Sequence, residues 1–282
     1  MIEYTKQYGK RTYYIQDFNN MLEVAQYLEG QKDLMNYELT KDSRLREEAS
    51  WYGTSTFKDI SDRLKYGDSK ITSMYMDKLK QLSNECEDYT GISMDIEGFA
   101  YDMGAVVSGE PECCLNSGFP ETKPHLNIFV DIGYCGGVPA NIIANRGVAI
   151  LNLISSLVSQ GYLLDIWIVH YIDSSGSRYF SQRVKLSTEF MTIAQLAFAG
   201  KSEYFRVVTW LLTAIQRKEY SYTGSGYSKP SGEVITKLKK EGLYIPSGYT
   251  DGRFNSCNLN TAMELVQEIF NDYVKEKELC KL

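Results

Sequence analysis

The chain has 282 residues, 43% of them hydrophobic and 23% charged, enough for one large or two modest domains around an ordinary core. A net charge of −6, with no basic block denser than Lys237, Lys239 and Lys240, speaks against nucleic-acid binding, which needs phosphate-neutralising clusters. The 22 Tyr, against 11 Phe and 3 Trp, either line an interaction surface or fill core and boundary positions.

Residues 1–120 read as a mainly helical, partly irregular region that packs on the remainder. Met21, Leu22, Val24, Ala25 and Leu28 recur at helical spacing, and Gly30 stands where a C-terminal cap would be. After a loop at Trp51-Tyr52-Gly53-Thr54, Thr56 with Asp59 forms a capping pair for a short helix buried through Phe57, Ile60 and Leu64 and ended by Gly67. Ile71, Met74, Tyr75, Leu79 and Leu82 predict a third helix over Ser69 to Glu87. From Ile92 to Gly118 the text is rich in Gly and acids, and predicts an extended segment, a helical turn at Met103 to Val107 and a turn at Gly109-Glu110-Pro111. Asp95 and Glu97 would share one strand face, a pattern open to cation binding, acid/base work or simple solvation.

Residues 121–282 read as an α/β domain. LNIFVDIGYCGG, beginning at Leu126, is an apolar run ending in Asp131 and a glycine-rich loop; an amphipathic segment and a second apolar run to Tyr171 follow. That is a βαβ crossover, which delivers Asp131 and its loop to the sheet end where α/β proteins place their sites. YFSQRVKL, starting at Tyr179, alternates and predicts an antiparallel hairpin partner at the sheet edge. Ser187 or Thr188 can cap a helix stopped by Gly200, and Ser202 can cap the next, along Phe205, Val208, Trp210, Leu211, Leu212 and Ile215. A Gly/Ser/Tyr loop from Tyr220 to Ser231 precedes a helix at Val234 to Lys240, a short strand at Leu243 to Ser247 and a closing helix from Asn260 to about Glu278.

The order of strand, Asp-bearing loop, helix, strand, hairpin strand and helix resembles a von Willebrand A-type domain, a doubly wound sheet with one antiparallel edge strand. Metal-carrying members of that family have an Asp-x-Ser-x-Ser loop holding Mg²⁺. Here the matching positions are Asp131-Ile132-Gly133-Tyr134-Cys135, so the acid is kept and both serines are gone. A hard cation wants oxygen ligands, which implies a degenerate, metal-free loop and no cofactor. Trp51-x-Gly53, Gly109-x-Pro111-Glu112, Arg146-Gly147 and Gly161-Tyr162 together resemble an uncharacterised family of tailed-bacteriophage proteins, which implies a viral or prophage origin.

Asp131 with Gly133, Tyr134, Cys135 and Gly136 is the leading candidate for a ligand or partner site; the alternative is that Asp131 caps the crossover helix or hydrogen-bonds loop amides, with glycines needed only for backbone geometry. GYCGG is neither GxGxxG nor a phosphate-binding loop. Gly147 is expected to let the crossover helix approach the sheet, with Arg146 pointing outward or held near the loop to meet an anion or carboxylate. His125 and His170 belong to opposite sheet ends, which argues against a shared metal; His170 is a structural histidine or a base. Cys113, Cys114 and Cys135 lack any activating signature, and six scattered cysteines without CxxC spacing imply reduced thiols in a cytoplasm. No signal peptide is read at MIEYTKQYGK, and Val138 to Val158, interrupted by Asn141, Asn145, Arg146 and Asn152, falls short of the ~20 apolar residues of a membrane span.

The expectation is therefore a Rossmann-like α/β module of phage origin. It would work without catalysis in the host cytoplasm, gripping a host or phage protein through the degenerate loop; no membrane partner is expected and self-association is left open. The alternatives are a nucleotide or phosphoester enzyme using Asp131, Arg146 and His170 at the strand ends, and a virion structural subunit.

Overall fold

A computed structural model describes residues 1–8, 11–31, 46, 48–68, 92–95, 100–101, 114–117, 123–174, 178–187, 193–220 and 230–279. The chain opens on two antiparallel strands, β1 (Ile2–Tyr8) and β2 (Arg11–Phe18), where a helical and irregular region was expected. Thr12, Tyr13, Tyr14 and Ile15 are β-branched or aromatic and suit a pleated surface. Because β2 buries Tyr13 and Ile15 on one face and Gln16 and Phe18 on the other, its period of two is hidden.

Helix α1 (Met21–Gly30) is capped by Asn20, whose side chain accepts from Glu23 N at 2.8 Å, and it buries Met21, Val24, Ala25 and Leu28. Gly30 is its last helical residue, and the backbone N–H of Gln31 closes the turn. After α2 (Ala49–Tyr52) comes α3 (Phe57–Tyr66), capped as expected by Thr56 onto Asp59 N at 3.2 Å and ended by Gly67. The helix expected over Ser69 to Glu87 and the turns at Met103 to Val107 and Gly109 to Pro111 lie outside the described residues. Strands β3 (Ile92–Asp95), β4 (Ala100–Tyr101) and β5 (Cys114–Ser117) form a small antiparallel sheet in the order β3-β5-β4.

The crossover is β6 (Lys123–Asp131), α4 (Ala140–Ser159) and β7 (Tyr162–Ser174), with β6 and β7 parallel as expected. Strand β8 (Arg178–Ser187) returns antiparallel to β7. Then follow α5 (Ile193–Ala199), a π-helical turn (Tyr204–Val208) running into α6 (Thr209–Tyr220), and α7 (Gly232–Glu241), capped by Ser231. Strand β9 (Leu243–Ile245) lies parallel to β6; a 3₁₀ turn (Gly252–Asn255) and α8 (Leu259–Leu279) close the chain. Ser202 does not cap the π-helical turn; its hydroxyl donates to Glu203 Oε2 at 2.8 Å.

The main sheet thus has six strands in the order β1-β2-β8-β7-β6-β9, mostly parallel, in a mixed α/β fold. Strand β8 is not the edge that its hairpin position implied: β2 runs parallel beside it from Thr12↔Arg178 to Phe18↔Val184. An open β8 would leave a row of unpaired backbone groups beside Phe180 and Val184, and the N-terminal hairpin covers it. Asp17, opposite Arg183 in that register, accepts from Arg183 Nε at 2.6 Å and again from Nη2, while Tyr4 joins the same pair. Burial in this cluster pushes the Tyr4 phenol up to about 12. The polar, exposed Glu3, Thr5 and Gln7 of β1 then form a safer edge.

Among the described residues α1, α3, α4, α5, α6 and α8 pack on the face formed by Phe18, Ile128, Val130, Ile166, Ile168 and Val184, and α7 packs on the aromatic face of Tyr13, Phe129, Tyr171 and Tyr244. By length and composition Ala140–Val158 of α4 could cross a membrane, more than its interruptions suggested; here it buries Val148, Leu151, Ile154 and Leu157 in the main core.

Gly147 is needed for close packing, yet against α5 rather than against the sheet. A Cβ there would stand 2.6 Å from the Gly200 carbonyl oxygen and 2.9 Å from its Cα. Gly147→Ala or Gly200→Ala is expected to destabilise the fold by about 1–3 kcal/mol, read as a lower urea midpoint. Gly137→Ala, which meets nothing within 4 Å, should shift it by less than about 0.5 kcal/mol.

Candidate functional site

Strand β6 ends at Asp131, on the face of the sheet that carries Phe129 and Tyr244, and its side chain is 1% exposed. The carboxylate is nonetheless fully engaged. Gly133 N donates to Oδ1 at 3.0 Å, and Oδ2 accepts from Tyr244 Oη at 3.0 Å, Ser247 Oγ at 3.0 Å and Thr250 Oγ1 at 2.9 Å. Burial pushes its pKa above the usual carboxylate range, against these donors and the nearby Arg146 charge, which pull it down. Burial, and after it the nearby Asp131 carboxylate, raise the Tyr171 and Tyr244 phenols far above their ordinary range.

Of the two placements left open for Arg146, outward or held near the loop, the structure shows it inward at the loop end of the sheet, on backbone carbonyls. It is 3% exposed, and its Nη2 lies 2.8 Å from Asp131 O, 3.2 Å from Ile245 O and 2.7 Å from Pro246 O. Its guanidinium carbon sits 5.8 Å from the Tyr134 ring centre and 5.2 Å from that of Phe254. Three carbonyls at the ends of β6 and β9 converge here, two of them buried and Pro246 O partly so, and buried carbonyls need a donor. Beside Arg146, a cavity of about 20 Å³ lined by Tyr134, Ile143, Gly147 and Phe205 has room for one water.

The remaining candidates separate. Asp131 faces Val169 across the β6–β7 register, so alternation puts His170 on the opposite face, buried and edge-to-face with Phe205 at 6.5 Å. Asp131 and His170 therefore form no acid–base pair. His125 stands at the other end of the sheet, 3.2 Å from Asp165. Asp95 ends a strand of the small sheet; Glu97, Asp102, Glu110, Glu112 and Cys113 lie outside the described residues, as does most of the Tyr220 to Ser231 loop. Tyr134 is buried against Phe205 at 5.7 Å, its phenol raised by burial, whereas Cys135, Gly136 and Gly137 are exposed at the loop tip.

A Mg²⁺ fits this cluster poorly. Its one carboxylate is saturated by protein donors, a guanidinium stands on the adjoining peptide, and no group of three acidic, His or Cys ligands occurs among the described residues.

Two exposed aromatics flank the loop. Tyr249, 44% exposed, donates its backbone N–H to Gly133 O at 3.1 Å. On the other side the π-helical turn sets Arg206 between Trp51 O (2.6 Å) and Val138 O (2.7 Å), with its guanidinium 4.5 Å from the ring centre of Trp51, itself 39% exposed. Sequence reasoning missed Tyr244, Ser247, Tyr249, Thr250 and Arg206, which reach the loop from more than sixty residues downstream and carry no local motif. Behind Tyr244 and Thr250 a cleft of about 410 Å³ opens between α7 and α8.

The chain belongs to the DUF7192 family, a domain of unknown function whose model matches residues 4–275. No curated protein and no solved structure matches it.

A raised native pKa means that the folded state holds the Asp131 proton more tightly than the unfolded one, so its contribution to stability is full below the ordinary value of 3.8 and is lost as pH rises through the raised value. Asp131→Asn lacks that dependence. The stability of wild type minus that of Asp131→Asn should therefore fall as pH rises above the ordinary carboxylate value of 3.8, read from urea melts at a series of pH values. Arg146→Met, which takes the guanidinium donor from the buried Asp131 and Ile245 carbonyls and from the partly buried one of Pro246, should cost about 3 kcal/mol by the same measurement.

Proposed function

We propose that this chain is a non-enzymatic interaction module of phage origin, built on a von Willebrand A-like sheet, that grips a host or phage protein in the host cytoplasm. The sheet order β8-β7-β6-β9, with its antiparallel strand after β7, is consistent with that fold resemblance. One observation carries the functional reading. Asp131, the acid at the end of β6, is consumed by four internal donors, while the surface beside it offers exposed Trp51 and Tyr249 around a glycine loop. Aromatic side chains that are rigid, large and partly exposed are the residues most often found as binding anchors. A nucleotide or phosphoester enzyme would instead need Asp131, Arg146 and His170 to converge on one pocket.

Affinity capture from the expressing cell tests this. Wild type should retain one stoichiometric partner, and Trp51→Ala with Tyr249→Ala should lose it by about tenfold or more with an unchanged melting temperature. Equal capture by the double variant, or nucleotide turnover by a partner-free protein, would overturn the proposal.

A further inference from the structure

The cleft between α7 and α8 is within the size range of ligand sites, and its chemistry is lopsided. Leu243, Pro246, Ile235 and Ile269 give it apolar walls. Along α8, Glu268, Asp272 and Glu276 follow one another at four-residue intervals and so share a helix face, with Tyr273 beside them. With Asp251 these make four lining acids, against two lining bases, Lys239 and Arg253. Arg253 is already committed, to Asp251 Oδ2 at 2.7 Å and to Glu268 Oε1 at 3.0 Å. Asp272 and Glu276 are exposed and form no ion pair among the described residues. Lys277, outside the lining, holds its ammonium 5.5 Å from the Tyr273 ring centre and donates to Lys240 O at 3.1 Å, so that ring already accepts a cation at its rim.

We propose that this cleft takes a lysine- or arginine-bearing segment of the protein partner, its hydrocarbon stem on Ile269 and Tyr273 and its cationic head between Asp272 and Glu276. The inference rests on the interaction reading above only for the occupant being a protein. Continuity argues for that occupant: Tyr249, at the loop surface, is followed directly by Thr250 and Asp251, which line the cleft. A partner seated on the one surface is thereby led into the other, and charge complementarity selects its basic segment.

The test is fluorescence anisotropy on the full-length protein with a short labelled peptide alternating Lys with Leu. Binding should weaken as salt rises, and a peptide with Glu in place of Lys should bind about tenfold or more weaker. Asp272→Lys with Glu276→Lys should cost about tenfold or more in affinity. Asp62→Lys with Glu264→Lys, an equal charge change at exposed positions outside the cleft, should leave it within about twofold, as should Trp51→Ala with Tyr249→Ala. Equal loss in the charge-matched control means attraction to net charge alone and overturns the proposal, as does equal binding of the acidic peptide. Spermidine binding as tightly as the peptide identifies a small-cation site and overturns it too. If the peptide fails to bind while the partner is still captured through Trp51 and Tyr249, the cleft assignment falls and the interaction reading stands.

Discussion

Where β6 and β9 stop, the carbonyls of Asp131, Ile245 and Pro246 converge, the first two buried and the third partly so, and the guanidinium of Arg146 answers all three. Hydrogen bonds from a charged donor are worth about 1.5–3 kcal/mol each at best, and a buried acceptor left without one costs about as much. Because β9 pairs with β6 over only three residues, Ile128 to Val130, that short ladder would hold the following loop weakly on its own. Arg146 reaches the strand ends from α4, which on another side meets α5 backbone to backbone at Gly147 and Gly200. Removal of the Arg146 contacts loosens the segment after β9, and with it everything that segment carries.

That segment supplies the hydroxyls of Ser247 and Thr250 to Asp131 and the N–H of Tyr249 to Gly133. The result is a closed electrostatic unit. A buried carboxylate is costly unless donors surround it, and four do. In the family that the crossover resembles, loop hydroxyls would instead present their lone pairs to a cation; here hydroxyls from elsewhere in the chain direct their protons at the acid. An Asp in this state is a fastener between two loops rather than a reactive group. Its elevated pKa expresses the residual cost of keeping charge away from water.

Much of this fold is legible in the sequence because the signals are local. The runs from Leu126 to Asp131 and from Leu163 to Tyr171 are apolar and β-rich, the segment between them is helical by spacing, and the Thr56–Asp59 cap needs only four residues. The misreadings share a cause, since each depends on a partner distant in sequence. Strand β2 is buried on both faces because β8, about 165 residues later, lies beside it, so neither alternation nor amphipathy survives to be read. A charged residue in mid-helix is ordinarily solvated, and nothing near Arg146 announces carbonyls that arrive about a hundred residues downstream. The outward alternative for Arg146 and the edge expectation for β8 both fail for that reason. The loop after β6 is legible, and so is the alternative that Asp131 bonds its amides, but the hydroxyls of Tyr244, Ser247 and Thr250 that also hold this acid arrive more than a hundred residues downstream.

Rigidity at this end of the sheet has a thermodynamic consequence for binding. Tyr244 and Thr250 each have one side in the cleft and one hydrogen bond to Asp131, whose loop carries Gly133 and, through it, Tyr249. A ligand that orders Thr250 from the cleft also orders the acid's surroundings, and so lowers the entropy that a partner at the loop surface must give up. Coupling of this kind is reciprocal by necessity. Two modest contacts that share one segment can therefore act as a single surface without any movement of the sheet.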